Sequence, residues 1–284
     1  MAHIKIVTDS AADIPMELAY EWGIEIVPLL IRVDDHLYRS GLDITQEQVY
    51  MLLQEGKHSI HTVSPSSTTF EQLYRQFALE YDYVFSIHHS SRLSGTHREA
   101  ALACARLPAS LTRTEVIDSR SASMGLGTVV LGAAKAAREG ANPAELHQMI
   151  NMMMRHTHAV FFVDTLDYLE RGGLLSLASP VLGSMQRIKP LLLLNDGDIV
   201  PYERTRTRAK AIEGLFTFVE DFPQVQEVTI LYSTTPDDVD KLLEKLELIF
   251  PRDQVKVVQF GAGTAVHMGP GAMGVVVFEG IHAD

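Results

Sequence analysis

Four short apolar, β-branched runs, at residues 4–7, 24–33, 83–87 and 115–117, are each followed by a small-polar turn and a segment with helical spacing. Strands that alternate with helices are joined by crossovers rather than hairpins, so the pattern predicts a parallel sheet with helices on its faces. The helix starts are marked in the sequence. Thr45 with Gln48 reads as a capping box, and Asn142-Pro143 with Glu145 supplies a cap, a proline at the first helical position and an acid at the third. Gly56 and Gly140 close two of these helices.

The texture changes around residues 155–159, between a Met-rich helix at 144–154 and a strand at 160–163, which places a domain boundary near residue 156. Beyond it come a strand at 188–194, a tight Asn195-Asp196-Gly197-Asp198 turn and a strand at 199–202, a hairpin and therefore antiparallel. Strands at 228–232 and 255–260, a helix at 236–250 and a last strand at 275–278 complete the chain. The expected fold is α/β in two domains, 1–156 with a parallel sheet and 157–284 with a mixed or mostly antiparallel sheet covered by helices. Neither an internal repeat nor a low-complexity segment is present.

Asp and Glu total 36 against 24 Lys and Arg, a formal charge of -12. So negative a surface repels phosphate backbones and anionic membranes, which argues against nucleic acid as a partner. The one arginine-dense stretch, Arg204, Arg206 and Arg208, is too short for a duplex but suits one or two phosphate or carboxylate groups. Cys104 is the sole cysteine, so no intramolecular disulfide and no cysteine-based zinc cluster can form. No apolar run approaches the ~18 residues of a membrane span, and residues 1–5 lead straight into a strand, so the expectation is a cytoplasmic protein with no integral membrane segment.

Hydroxyls, glycines and cations collect in four loops, and in open α/β sheets ligands bind at the carboxyl ends of strands. The loops are Thr8-Asp9-Ser10, then Thr62-Val63-Ser64-Pro65-Ser66-Ser67 with Ser67 or Thr68 capping the next helix, then Ser90-Ser91-Arg92-Leu93-Ser94-Gly95-Thr96, and His267-Met268-Gly269-Pro270-Gly271-Ala272. Singly, each has an ordinary explanation as a cap or a turn. Together, hydroxyls and free N–H groups at helix N-termini make a site for a carboxylate or phosphate.

At these residues the sequence resembles the DegV family, which includes the fatty-acid-binding FakB proteins. The resemblance runs through Val7-Thr8-Asp9-Ser10 with Asp13-Ile14-Pro15, Ser91-Arg92-Leu93-Ser94-Gly95-Thr96, Val116-Ile117-Asp118-Ser119 with Met124-Gly125-Leu126-Gly127, Leu169-Glu170-Arg171-Gly172-Gly173, and the loop from His267 to Ala272. It implies a three-layer α/β/α first domain, a second sheet covered by helices, and a long-chain fatty acid held between them as a ligand, with no cofactor and no catalysis. It further implies that Thr62 and Ser94 hold the carboxylate, that Arg171, Arg206 and His267 lie near that end, and that a fatty-acid kinase is the partner. Arg204 is the alternate for Arg206, because Glu203-Arg204-Thr205-Arg206 can slide by two residues. Two departures stand out: Val63 replaces a polar residue, and Leu174 stands where a basic residue is common, which bears on partner docking.

The chemistry suits such a ligand. Each buried CH2 contributes about 0.8 kcal/mol, so some fourteen methylenes offer on the order of 11 kcal/mol before ordering costs. The methionines of 149–154 read as core first and as cavity lining second. A serine hydrolase built on Ser94, His267 and Asp118 is disfavoured because no Gly-x-Ser-x-Gly elbow occurs. Gly125-Leu126-Gly127 lacks the third glycine of a dinucleotide fingerprint. His88-His89 makes a poor metal site because adjacent strand residues face opposite ways, and His156-x-His158 because it has no evident carboxylate partner. A docking adaptor whose lipid is structural remains as the rival reading.

Overall fold

The computed structural model describes residues 2–108, 111, 113–175 and 188–280. The first half runs β1 (Ile4–Asp9), α1 (Met16–Glu21), β2 (Glu25–Val27), β3 (Leu30–Val33), β4 (His36–Arg39), α2 (Gln46–Glu55), β5 (Ile60–Val63), α3 (Ser67–Phe77), β6 (Tyr83–His88), α4 (Thr96–Ala105), β7 (Arg113–Asp118), α5 (Met124–Arg138) and α6 (Pro143–His156). The second half continues with β8 (Thr157–Phe162), α7 (Asp167–Arg171), β9 (Lys189–Asn195), β10 (Asp198–Thr205), α8 (Arg208–Glu220), β11 (Glu227–Tyr232), α9 (Pro236–Leu246), β12 (Val255–Gln259), α10 (Ala262–Met268) and β13 (Met273–Phe278).

Strands β2-β1-β6-β7 form a parallel four-stranded sheet, and β10-β9-β8-β13-β11-β12 form a six-stranded sheet in which only β11 and β12 pair in parallel. This is the parallel and the mixed sheet of a two-domain α/β architecture. Period-two alternation on β1 sends Val7 to one face, where Phe70, Tyr74 and Ala100 of α3 and α4 cover it. Ile6 goes to the other, against Leu126, Val129 and Val130 of α5. That second core also takes in Leu192, Leu231 and Val276 from the six-stranded sheet, so α5 is packed between the two sheets. The outer face of the six-stranded sheet is closed by α8 and α9 through Leu215, Val219, Leu242 and Leu246.

Local signals act as their chemistry requires. The Thr45 and Asn142 capping boxes both form, and Asp196 and Gly197 both take positive φ, 48° and 87°, as a two-residue hairpin turn between twisted strands demands.

Other expectations need correction. The run 24–33 is two strands, because Pro28 has no N–H for a ladder and the chain there leaves the parallel sheet. Strand β3 then joins an antiparallel three-stranded sheet, β4-β3-β5, that the sequence reading lacked. Consequently Thr62 sits on a strand rather than in a loop. Ser66, not Ser67 or Thr68, caps α3, and residues 262–268, read as loop at their end, form α10. The Met-rich helix contributes core: Met153 is buried against α5, and none of the methionines at 149–154 lines the cavity described next. No described helix is long and apolar enough to cross a membrane.

Candidate functional site

A cavity of about 100 Å³ is bounded by both halves of the chain. Its wall is mostly apolar, with Leu29, Leu93, Phe161, Leu169, Phe260 and Met268 among the lining side chains. Polar groups come from Thr62, His89, Ser94, Ser123, Thr264 and His267.

Three of the five expected site residues meet in this cavity. Thr62, held on β5 opposite Ile31, has its Oγ1 2.8 Å from Nε2 of His267 at the end of α10. Ser94 lies in the turn between β6 and α4, its Oγ 3.2 Å from Ser64 Oγ and accepting the Thr96 N–H at 3.2 Å. Burial, helped by the nearby His89 and His61, lowers the His267 pKa to about 4, so this imidazole is neutral at pH 7. Its Nδ1 is buried with no hydrogen-bond partner among the described residues. The chain passes close by at Gly172, where a Cβ would stand 2.4 Å from that nitrogen, so no larger residue fits there without a shift.

The arginines stand apart from that group. Arg171 is exposed at the end of α7, stacked over Tyr168 with 5.6 Å between guanidinium and ring centre, and it lines an adjoining depression with His58, His61 and His267. His267 is therefore shared between the two spaces. Arg204, on β10 opposite Pro190, and Arg206, just beyond that strand, are exposed and do not line the cavity. Among the described residues none of Arg171, Arg204 and Arg206 enters an ion pair. Arg208 does, bonding Asp164, Asp238 and the Gly271 carbonyl, so one arginine of the dense stretch fixes the fold and two remain available.

The geometry does not assemble a hydrolytic relay. Ser94 Oγ meets Ser64 and Thr96 rather than a base, and Asp118 is engaged by Ser91 and the Arg120 N–H. Thr62 does face a histidine, but among the described residues no acid orients it, and an imidazole with a pKa near 4 is a weak base. The Ser123 and Thr264 hydroxyls both donate to Asp13, at 2.6 and 3.0 Å, behind the cavity wall.

A buried network beside the cavity was missed. Asp9, fully buried, accepts from the Ala11 and His89 backbone N–H groups and from Nδ1 of both His88 and His89, at 2.9 and 3.0 Å for the two rings. The expectation that His88 and His89 face opposite ways fails because β6 ends at His88, so strand alternation no longer governs His89. The parallel register of Val7 with Ser86 is the signal that would have found it, since two residues further along it sets Asp9 beside His88. Among the described residues no cluster suited to a metal ion occurs.

Comparison with known proteins adds to this geometry. The family model described as "Uncharacterised protein, DegV family" matches residues 3–280. A DegV domain-containing protein of Caldanaerobacter subterraneus is 34% identical over 288 residues, covering 98% of this chain and all of that relative. Two solved structures are similar throughout. One is of a DegV-family protein from Thermus thermophilus described by its fatty acid binding, with TM-score 0.88, 31% identity, and coverage of 98% of this chain and 99% of that one. The other is of DegV from Bacillus subtilis, described as a fatty acid binding protein, with TM-score 0.89, 30% identity, and coverage of 98% and 100%.

Proposed function

Since the chain belongs to the DegV family, we propose that it holds one long-chain fatty acid in the cavity between its halves and performs no chemistry of its own. The observation that carries this reading is an apolar cavity with a small group of hydroxyls and a neutral histidine in its wall. Apolar wall supplies affinity through methylene burial, and the hydroxyls meet a carboxylate that would otherwise be buried unpaired. With Nε2–H of His267 donating to Thr62 Oγ1, the Thr62 proton is left to donate to the ligand, and Ser94 supplies a second donor.

Protein purified from a bacterial host should carry close to one fatty acid per chain, seen by mass spectrometry after denaturing extraction. Lipid-free protein that takes up no long-chain acid and gains no thermal stability from it would end this reading.

The finer part of the proposal concerns hand-off. The protein presents the carboxylate to an ATP-dependent fatty-acid kinase and keeps the acyl phosphate formed. Phosphorylation adds negative charge at the head, and the unpaired guanidinium groups of Arg171 and Arg206, with Arg204 as the alternate, suit that charge better than they suit the buried acid. Arg206→Ala should therefore retain bound lipid while losing kinase-dependent consumption of radiolabelled fatty acid. Loss of both in equal measure would refute the division, and full turnover in Arg206→Ala with loss in Arg204→Ala would move the role to Arg204.

A further inference from the structure

On the fatty-acid reading, a carboxylate in this cavity needs a countercharge, and the residues expected to give one do not supply it. Arg204 and Arg206 are outside the lining, Arg171 lines only the neighbouring depression, and His267 is neutral at pH 7. Among the described residues, the remaining ionisable group in the wall is His89.

Its surroundings decide its charge. Tyr74 donates to Ser86 Oγ at 2.8 Å, so the single proton of Ser86 is free for Nε2 of His88, also at 2.8 Å, which makes His88 an acceptor there and a donor to Asp9 through Nδ1. With Nδ1 of His88 on one oxygen of Asp9, Nδ1 of His89 takes the other. Burial opposes a charge on His89, but the Asp9 carboxylate in contact, with Asp118 and Asp13 further away, outweighs it and raises the pKa. Asp9 in turn is held well below the usual carboxylate range, against its own burial, by the same two histidines. The charged and titratable groups facing His89 are thus Asp9 from β1, Asp13 from the turn after it, His88 from β6, Asp118 from β7 and His267 from α10. While Nδ1 of His89 is fixed by Asp9 at 3.0 Å, its Nε2 has no hydrogen-bond partner among the described residues and is not sealed off as His267 Nδ1 is.

We propose that His89 is the cationic head-group ligand of this cavity, its Nε2–H donating to the fatty-acid carboxylate while Asp9 fixes the ring from behind. The arrangement gives the site a means of telling an acid from a neutral lipid of the same length, because only the acid gains a charge-assisted hydrogen bond.

The test compares palmitate with hexadecanol on delipidated wild-type protein and on His89→Gln. Palmitate affinity should fall at least about tenfold in the variant, the ratio that corresponds to about 1.4 kcal/mol, while hexadecanol affinity stays within a factor of two or so. Unchanged palmitate affinity, or an equal fall for both lipids, overturns the proposal, the second result meaning that the side chain only shapes the cavity. Nitrogen-15 spectra of histidine-labelled wild-type protein provide a reading that does not depend on a variant folding. Palmitate should move the His89 Nε2 signal with the ring protonated on both nitrogens, and a bound-state spectrum with a neutral His89 ring refutes the assignment. Wild-type protein that binds neither lipid would instead bring down the fatty-acid reading itself, an outcome separate from wild-type binding with an indifferent variant.

Discussion

Thr62→Ala combined with Ser94→Ala is expected to release most of the bound lipid and to weaken fatty-acid affinity by about 30-fold to 10^4-fold, since each lost donor to a buried carboxylate costs about 1–3 kcal/mol. The two hydroxyls reach the same cavity from unlike supports, Thr62 from an antiparallel strand and Ser94 from the turn that opens α4. Because both would donate to one carboxylate, the single and double variants together should show coupling between the two sites. Thr62→Ala carries an added consequence: it removes the partner of His267 Nε2, on an imidazole whose other nitrogen is already unpartnered. Thr62→Ser, which keeps the oxygen, separates the two effects and should bind nearly as well as wild type. Isothermal titration of delipidated protein gives the affinities. A thermal melt gives an independent reading, because a ligand at about 100 times its dissociation constant stabilises the folded state by about 2.7 kcal/mol through mass action. The melting temperature of stripped wild-type protein should rise on adding the acid, and that of the double variant should rise by about a third as much or less at the same concentration. A double variant that binds and melts like wild type would remove both residues from the head-group site.

What the sequence made legible, and what it did not, follows from the range of the interactions involved. The capping boxes at Thr45 and Asn142 and the turn at Asp196-Gly197 are local chemistry, readable within four residues, and the structure has them where the residues put them. Pro28 is a local signal of the same kind: a residue without an N–H inside a long apolar run marks a break, and the break is what frees β3 to build the antiparallel sheet that carries Thr62. Partnerships made across the fold are a different matter. Thr62 and His267 are 205 residues apart in sequence and 2.8 Å apart in space, and Asp9 meets His88 across 79 residues. Motif order places such residues in one protein but not at one bond length. The same limit applies to the arginines, whose positions in the sequence say nothing of which is consumed by the fold, as Arg208 is by Asp164 and Asp238, and which stay free.

Asp13→Asn is expected to stabilise the protein at pH 8 and to make much less difference at pH 4. The Asp13 carboxyl is buried after β1 on a residue with φ 51°, and burial, which the hydrogen bonds from Ser123, Thr264 and Gly261 only partly offset, raises its pKa to about 7 from an ordinary 3.8. A native-state pKa above the unfolded value means the folded protein binds this proton more tightly. The stability this group contributes is therefore complete below pH ~4, declines as pH rises, and is gone above about 7. Three units at 1.36 kcal/mol each set the change at about 4 kcal/mol, an upper bound for the variant because an amide serves the two hydroxyls less well than a carboxyl. Other groups titrate too, in their own windows. Asp9, with its pKa lowered, contributes stability that disappears only on acidification below the ordinary carboxylate range, and His267, lowered to about 4, contributes stability that is lost as pH falls from about 6.5. The difference between variant and wild type cancels these, which is why both should be unfolded by denaturant at several pH values from 4 to 8. A difference that does not change with pH would mean that Asp13 holds no strained charge. Its position makes the result matter for the site: Ser123 begins the turn into α5, Thr264 lies on α10, and both line the cavity. Asp13 thus links the start of α5 to the helix that carries His267.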